Sequence, residues 1–200
     1  MRGHRKPPSA TQMSLDGLEA KPPSERLFFA VFPDPRAQQA IALETDALRV
    51  EHSLHGRPIE PSRLHATLHH LGDHPELRDD LVEAAMAAAG QVALASFEMT
   101  LASASSFNSG RGNHPCVLLC PGERPPVHAL WRELGTRLMA AGLGRYLQRS
   151  FTPHVTLLYD PHALLAQDIE PIRWTVRDFA LVHSLIGRHE HRVLGTWMLR

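Results

Sequence analysis

Two short segments of the chain carry the same pattern. His65-Ala66-Thr67-Leu68 lies in "LHATLHHLG", and His154-Val155-Thr156-Leu157 lies in "FTPHVTLLYD". Both alternate like half-buried strands, with histidine and threonine on one face and apolar residues on the other. On a strand, side chains two positions apart sit about 6.7 Å apart along the axis. Each segment therefore presents an imidazole beside a hydroxyl and anchors itself through Ala66 or Val155 and its leucine. A single match would be a weak signal, equally well read as an ordinary strand with a polar face; two copies in strand-like context form a site hypothesis.

The elements around the two segments follow from local pattern. "RLFFAVF" is short, apolar and aromatic, and reads as a buried strand. In "PDPRAQQAIALETDALRVEHSL", Asp34 caps a helix, Pro35 suits its first position, and Ala37, Ile41 and Leu48 form an apolar stripe. "GRPIEPSR" is a turn-rich connection, and "HPELRDDLVEAAMAAAG" is a second helix ended by Gly90. Beyond it, "SFEMTLASASSF" and "PCVLLC" read as strands around the loop "NSGRGN". A helix in "PPVHALWRELGTRLMAAGLG" aligns Leu130, Leu134 and Leu138. The second His-x-Thr strand and three more strand candidates, "IRWTV", "FALVHSLIG" and "HRVLGTWML", complete the chain. This order predicts an α+β protein. Each half carries one His-x-Thr-Leu strand after a helix, which suggests a pseudo-duplication. Residues 1–24, rich in Pro, Ser and charge, read as a mobile tail, and residues 25–200 as one domain or two small lobes sharing a core.

Composition removes several function classes. The formal net charge of +0 argues against a protein that grips long nucleic acid by bulk electrostatics, although a small or terminal nucleotide remains compatible. No run reaches the roughly 18 apolar residues of a membrane span, and the N-terminus has no apolar stretch of the secretory kind. Cys116 and Cys120 in "CVLLC" would lie roughly 13 Å apart on a strand, too far for a disulfide. Free thiols without an export signal point to the cytoplasm, and the expected state is a monomer.

The chemistry of the pair is phosphoryl chemistry. An imidazole titrates near pH 6.5, so two can serve as one base and one acid near neutrality. A threonine hydroxyl can donate to a non-bridging phosphate oxygen. Two of each around one cleft suit in-line attack at phosphorus without a metal or other cofactor.

On these residues the chain resembles the two-histidine (2H) phosphoesterase superfamily, and within it the RNA 2′,3′-cyclic phosphodiesterases, also called 2′-5′ RNA ligases. The resemblance runs from Arg26 to Arg200. It rests on "RLFFAVFPDP", "PIEPSRLHATLHHLGD", "RSFTPHVTL" and the ending "W…LVHSLIG…HRVLGTWML". It implies two pseudo-symmetric lobes, each an antiparallel sheet with flanking helices, and an active-site cleft between them. It also implies His65, Thr67, His154 and Thr156 as catalytic residues. The implied reaction is metal-independent opening of an RNA 2′,3′-cyclic phosphate end to a 2′-phosphate. Alternatives are a phosphodiesterase for 2′-5′ oligonucleotides or other small cyclic phosphates, or a catalytically weak RNA-end binding module. His65 is read as the general acid on the leaving 3′ oxygen and His154 as the general base on water, although the residues do not fix that order. Two positions depart from the pattern of many relatives: His69 and Tyr159 stand where a basic residue is common.

Further candidates are weaker. His69, with the parity of His65, is a candidate substrate contact, while His70 has core-facing parity. Arg149 and Phe151 could hold a phosphate and stack a base, or equally form an ordinary ion pair and core contact. Tyr159 has the parity of Val155 and is expected to point away from His154. A metal held by His65 and His69 lacks a third ligand nearby. His114, His128, His162, His183, His189 and His191 read as surface residues, and "GRHEHR" as a hairpin turn near the cleft or only a solvated loop.

Overall fold

The computed structural model of the chain describes residues 22, 24–110, 112–188 and 190–200. Most of the expected mobile tail, and His189, lie outside them. The strands are β1 (Glu25–Val31), β2 (Ala66–His74), β3 (Phe97–Ser106), β4 (His114–Leu119), β5 (His154–Asp160), β6 (Gln167–Val176), β7 (Asp178–Leu185) and β8 (Glu190–Met198). The helices are α1 (Pro35–Glu51), α2 (Asp79–Ala89) and α3 (Val127–Ala140). The strands form two antiparallel four-stranded sheets, ordered β2-β1-β7-β8 and β5-β4-β3-β6. The fold is α+β with two lobes, as the sequence predicts.

The lobes are not the two halves of the chain. β7 and β8 cross back to complete the first sheet, so the second is built wholly from the middle of the sequence. The repeated motif marks one strand in each lobe, β2 and β5, but the chain does not divide at its midpoint.

Strand β1 is central in its sheet and buried on both faces, which explains the unbroken apolar run of "LFFAV". Leu27, Phe29 and Val31 enter the main core, which draws on both sheets and all three helices. Phe28 and Ala30 face the other way and form a small cluster with Ala180 and Val182. α1 begins as its sequence indicates: the Asp34 carboxylate accepts a bond of 2.8 Å from the Ala37 N–H, and Pro35 occupies the first turn. Leu130, Leu134 and Leu138 of α3 are fully buried. α2 starts at Asp79, later than "HPELRDD" implies, with no side-chain cap. Among the described residues, no helix is long and apolar enough to cross a membrane.

Candidate active site

Both His-x-Thr motifs open onto one cleft of about 710 Å³. His65 and Thr67 enter it from the start of β2, and His154 and Thr156 from β5, one pair from each sheet. All four side chains are half-buried.

The two imidazoles are held by the same device. His65 Nδ1 lies 2.7 Å from the Arg63 carbonyl, and His154 Nδ1 lies 2.7 Å from the Thr152 carbonyl. A carbonyl can only accept, so each Nδ1 carries the proton and donates it. In the neutral ring this leaves Nε2 with a free lone pair. Each ring also rests on a phenylalanine at a centroid distance of 4.9 Å: His65 stacks on Phe28, and His154 meets Phe107 edge-on. Burial pushes both imidazoles below their ordinary value, and the backbone carbonyls offset this only in part. Arg63 and His154 depress His65 further.

A bulge follows each motif. In β2, the pairing with β1 shifts between Ala30–Thr67 and Phe29–His69. In β5, the pairing with β4 shifts between Val117–Thr156 and Cys116–Leu158. An extra residue in a strand reverses the parity of everything after it. Three expectations are corrected as a result. His69 does not face the cleft: it is 2% exposed, bonds the Trp131 carbonyl at 2.8 Å and stacks on the Trp131 ring. His70, expected to face the core, lines the cleft instead. The same reversal brings Tyr159, 51% exposed, into the cleft, against the expectation that it points away. His70 and Tyr159 each stand three positions after their motif threonine, so the bulges place them as counterparts.

The loop between α1 and β2 forms part of the cleft wall, through Arg57, Ile59, Glu60 and Arg63. It is clipped onto β5. The buried Asp160 carboxylate accepts bonds from the backbone N–H of His55 (2.5 Å) and Gly56 (2.6 Å), and the Ile59 N–H donates to the Leu157 carbonyl at 2.7 Å. Asp160 also accepts from the N–H of His162 at 2.8 Å. Burial alone would raise this carboxyl, but the three backbone N–H groups outweigh it and hold it below the usual carboxylate range. At Gly56 the backbone passes so close to the Tyr159 carbonyl that a Cβ would collide with it.

Arg149 and Phe151 are not brought to the cleft. Arg149 is exposed on the segment before β5, and Phe151 stacks on Trp131 at 5.4 Å and 15°. Of the five described histidines among those read as surface residues, two are placed otherwise. His183 is buried and bonded to Glu25, and His191 lines the cleft. Arg26, Arg63, Ser184 and His191 are cleft residues that the sequence reading did not single out. Arg26 was visible as the polar lead of an apolar strand; His191 lay in an apparently solvated hairpin. Cys116 and Cys120 are free thiols.

A model of the 2′-5′ RNA ligase superfamily matches residues 33–187. The chain belongs to that superfamily, a branch of the 2H phosphoesterases. Solved structures of the superfamily fold agree. E. coli LigT in its apo form is 28% identical with a TM-score of 0.65, the match covering 88% of this chain and 98% of LigT. E. coli LigT complexed with 3′-AMP is 26% identical over the same shares, with a TM-score of 0.61. The Thermus thermophilus protein TT0787 is 24% identical, with a TM-score of 0.71 over 88% of this chain and 98% of that protein. A search of curated proteins finds no match.

Proposed function

We propose that this member of the superfamily is a metal-independent phosphodiesterase that opens RNA 2′,3′-cyclic phosphate ends to 2′-phosphates. The observation that carries the reading is the matched pair of imidazoles, each donating Nδ1–H to a backbone carbonyl and leaving Nε2 for proton transfer at a shared cleft. One Nε2 takes a proton from water as the water oxygen bonds to phosphorus. The bond from phosphorus to the 3′ oxygen breaks, and the other histidine, protonated beforehand, delivers its Nε2 proton to that oxygen. Exchange with solvent restores both rings. Thr67 and Thr156 donate to the non-bridging oxygens, where negative charge develops. The likeness to E. coli LigT, solved with 3′-AMP and with phosphate, fits a nucleotide phosphate in this cleft.

A short RNA bearing a 2′,3′-cyclic phosphate, incubated with the protein and EDTA, tests the reading by phosphorus NMR. The expected product is the 2′-phosphate. Binding without turnover would transfer the weight to an RNA-end binding module; release of the 3′-phosphate would exclude the bond assignment. We also propose a cytoplasmic location, which free Cys116 and Cys120 fit, and a monomer.

A further inference from the structure

The floor of the cleft carries a second polar row, one side-chain step beyond the ring on which His65 rests. Arg26 on β1 pairs with Ser184 on β7, and Ser184 pairs with His191 on β8. Directly paired residues in an antiparallel sheet project to the same face, and all three line the cleft. On β1, Arg26 stands two residues before Phe28, about 6.7 Å along the strand, and Phe28 carries the His65 ring. The row therefore runs beside the motif pair and takes no part in the proton transfers.

Two of its members hold polar groups that the protein leaves unused. The Arg26 guanidinium is fixed by two bonds of 2.7 Å to Asp73, which also accepts from His70 at 2.9 Å. Those bonds use Nε and one terminal nitrogen, leaving further N–H groups of a rigid fork. His191 packs edge-on against His65 at 5.3 Å, and its Nδ1 is buried without a hydrogen-bond partner. Burial, then His65, Arg63 and Arg26, push His191 down to about 4, so it is neutral at working pH. From the opposite lobe, Tyr159 offers an exposed ring to the same cleft and lies within electrostatic reach of Arg26. A donor row facing an exposed aromatic ring is the combination that holds one nucleotide of a single strand, its phosphate on the donors and its base on the ring.

We infer that Arg26, Ser184 and His191 with Tyr159 form a subsite for the nucleotide preceding the terminal one, its linking phosphate on the donor row and its base on the Tyr159 ring. This rests on the function proposed above, placing the terminal phosphate between His65 and His154. The cation comes from β1, and position 159 supplies a stacking surface.

Binding of reaction products tests the subsite without requiring turnover. Calorimetry would compare a nucleoside 2′-phosphate, a dinucleotide ending in a 2′-phosphate, and that dinucleotide with an uncharged methylphosphonate linkage. The charged dinucleotide is expected to bind on the order of ten-fold tighter than the neutral-linkage one, the scale of one charged hydrogen bond, and on the order of a hundred-fold tighter than the mononucleotide, which lacks the stacked base as well. In Arg26→Gln, neutralising the linkage is expected to cost nothing further, and Tyr159→Ala is expected to lose on the order of ten-fold on the dinucleotide. Equal wild-type affinity for the charged and neutral linkages would overturn the inference. So would an Arg26→Gln loss that is the same for mononucleotide and dinucleotide. The linkage comparison uses the wild-type protein, so a misfolded variant cannot obscure it. A dinucleotide preference without turnover of cyclic phosphate would support the subsite and overturn the proposed reaction alone.

Discussion

His65 and His154 are bonded alike: in both, Nδ1–H donates at 2.7 Å to the carbonyl of the residue two positions earlier. The two rings thus hold the same tautomer, and both are pushed below the ordinary imidazole value by burial. A base must be neutral and works above its pKa; an acid must be protonated and works below its own. With both depressed, the maximum of kcat/KM should fall on the acid side of about 6.5, the imidazole reference. The limbs will belong to the coupled pair and not to either ring. A maximum above about pH 7.5 in a rate–pH profile would contradict the burial argument.

Removing either ring removes one proton transfer. His65→Ala and His154→Ala should each lower turnover by on the order of 10² to 10⁴, while circular dichroism stays native because both side chains border the cleft. A folded variant with near-full activity would remove that histidine from the mechanism.

Activity should survive exhaustive chelation, since the two imidazoles supply both proton transfers. Among the described residues, no group of three or more His, Cys, Asp or Glu is placed to hold a metal ion. Loss on chelation, with rescue by one divalent metal, would require a different mechanism.

Asp160 should matter to stability out of proportion to its distance from the chemistry. Asp160→Asn turns a carboxylate that accepts three backbone N–H groups into a group with one acceptor oxygen, at a cost of about 1–3 kcal/mol. For a chain of this size that is a fall in Tm of roughly 2–4 °C per kcal/mol. Because the folded carboxyl is held low, its contribution is present above the unfolded value of about 3.9 and is lost as pH falls through the lower folded value. The variant should therefore lose the low-pH part of the wild-type stability curve. Gly56→Ala should destabilise the same clip by forcing the loop off the Tyr159 carbonyl. An unchanged Tm in both variants would show that the clip is not under load.

His191 gives the stability curve a second feature. Its folded value is about 4, below the unfolded value of about 6.5, so the unfolded chain binds more protons between the two. Stability should fall as pH drops through that window, and His191→Gln should flatten the fall. A thermal melt at several pH values reads it directly.

Much of this arrangement was legible in the sequence because it rests on local pattern. The capped start of α1, the leucine face of α3 and the strand character of both motifs follow from spacing alone. The orientation of His69, His70 and Tyr159 was not legible. It is decided by bulges, which arise where two strands of unequal reach must pair, and nothing in "TLHHL" or "TLLY" reports its partner's register. Arg149 and Phe151 were misplaced because proximity in sequence to His154 says little about which side of a strand the preceding loop approaches. The polar row of Arg26, Ser184 and His191 draws on β1 and, far along the chain, on the β7–β8 hairpin, and only the sheet order brings β1 to it.

That sheet order also sets when the protein can fold. β1 is the central strand of its sheet, with β2 on one side and β7 on the other. While the chain is being made, β1 can pair with β2 early, but its second edge stays open until residues 178–185 have emerged. Closing so long a loop is entropically expensive and slow. Meanwhile "LFFAV" presents an apolar strand with unpaired backbone groups, a template for intermolecular pairing. A truncation before β7 would therefore leave a first lobe that aggregates, and the row of Arg26, Ser184 and His191 forms only once β7 and β8 have paired.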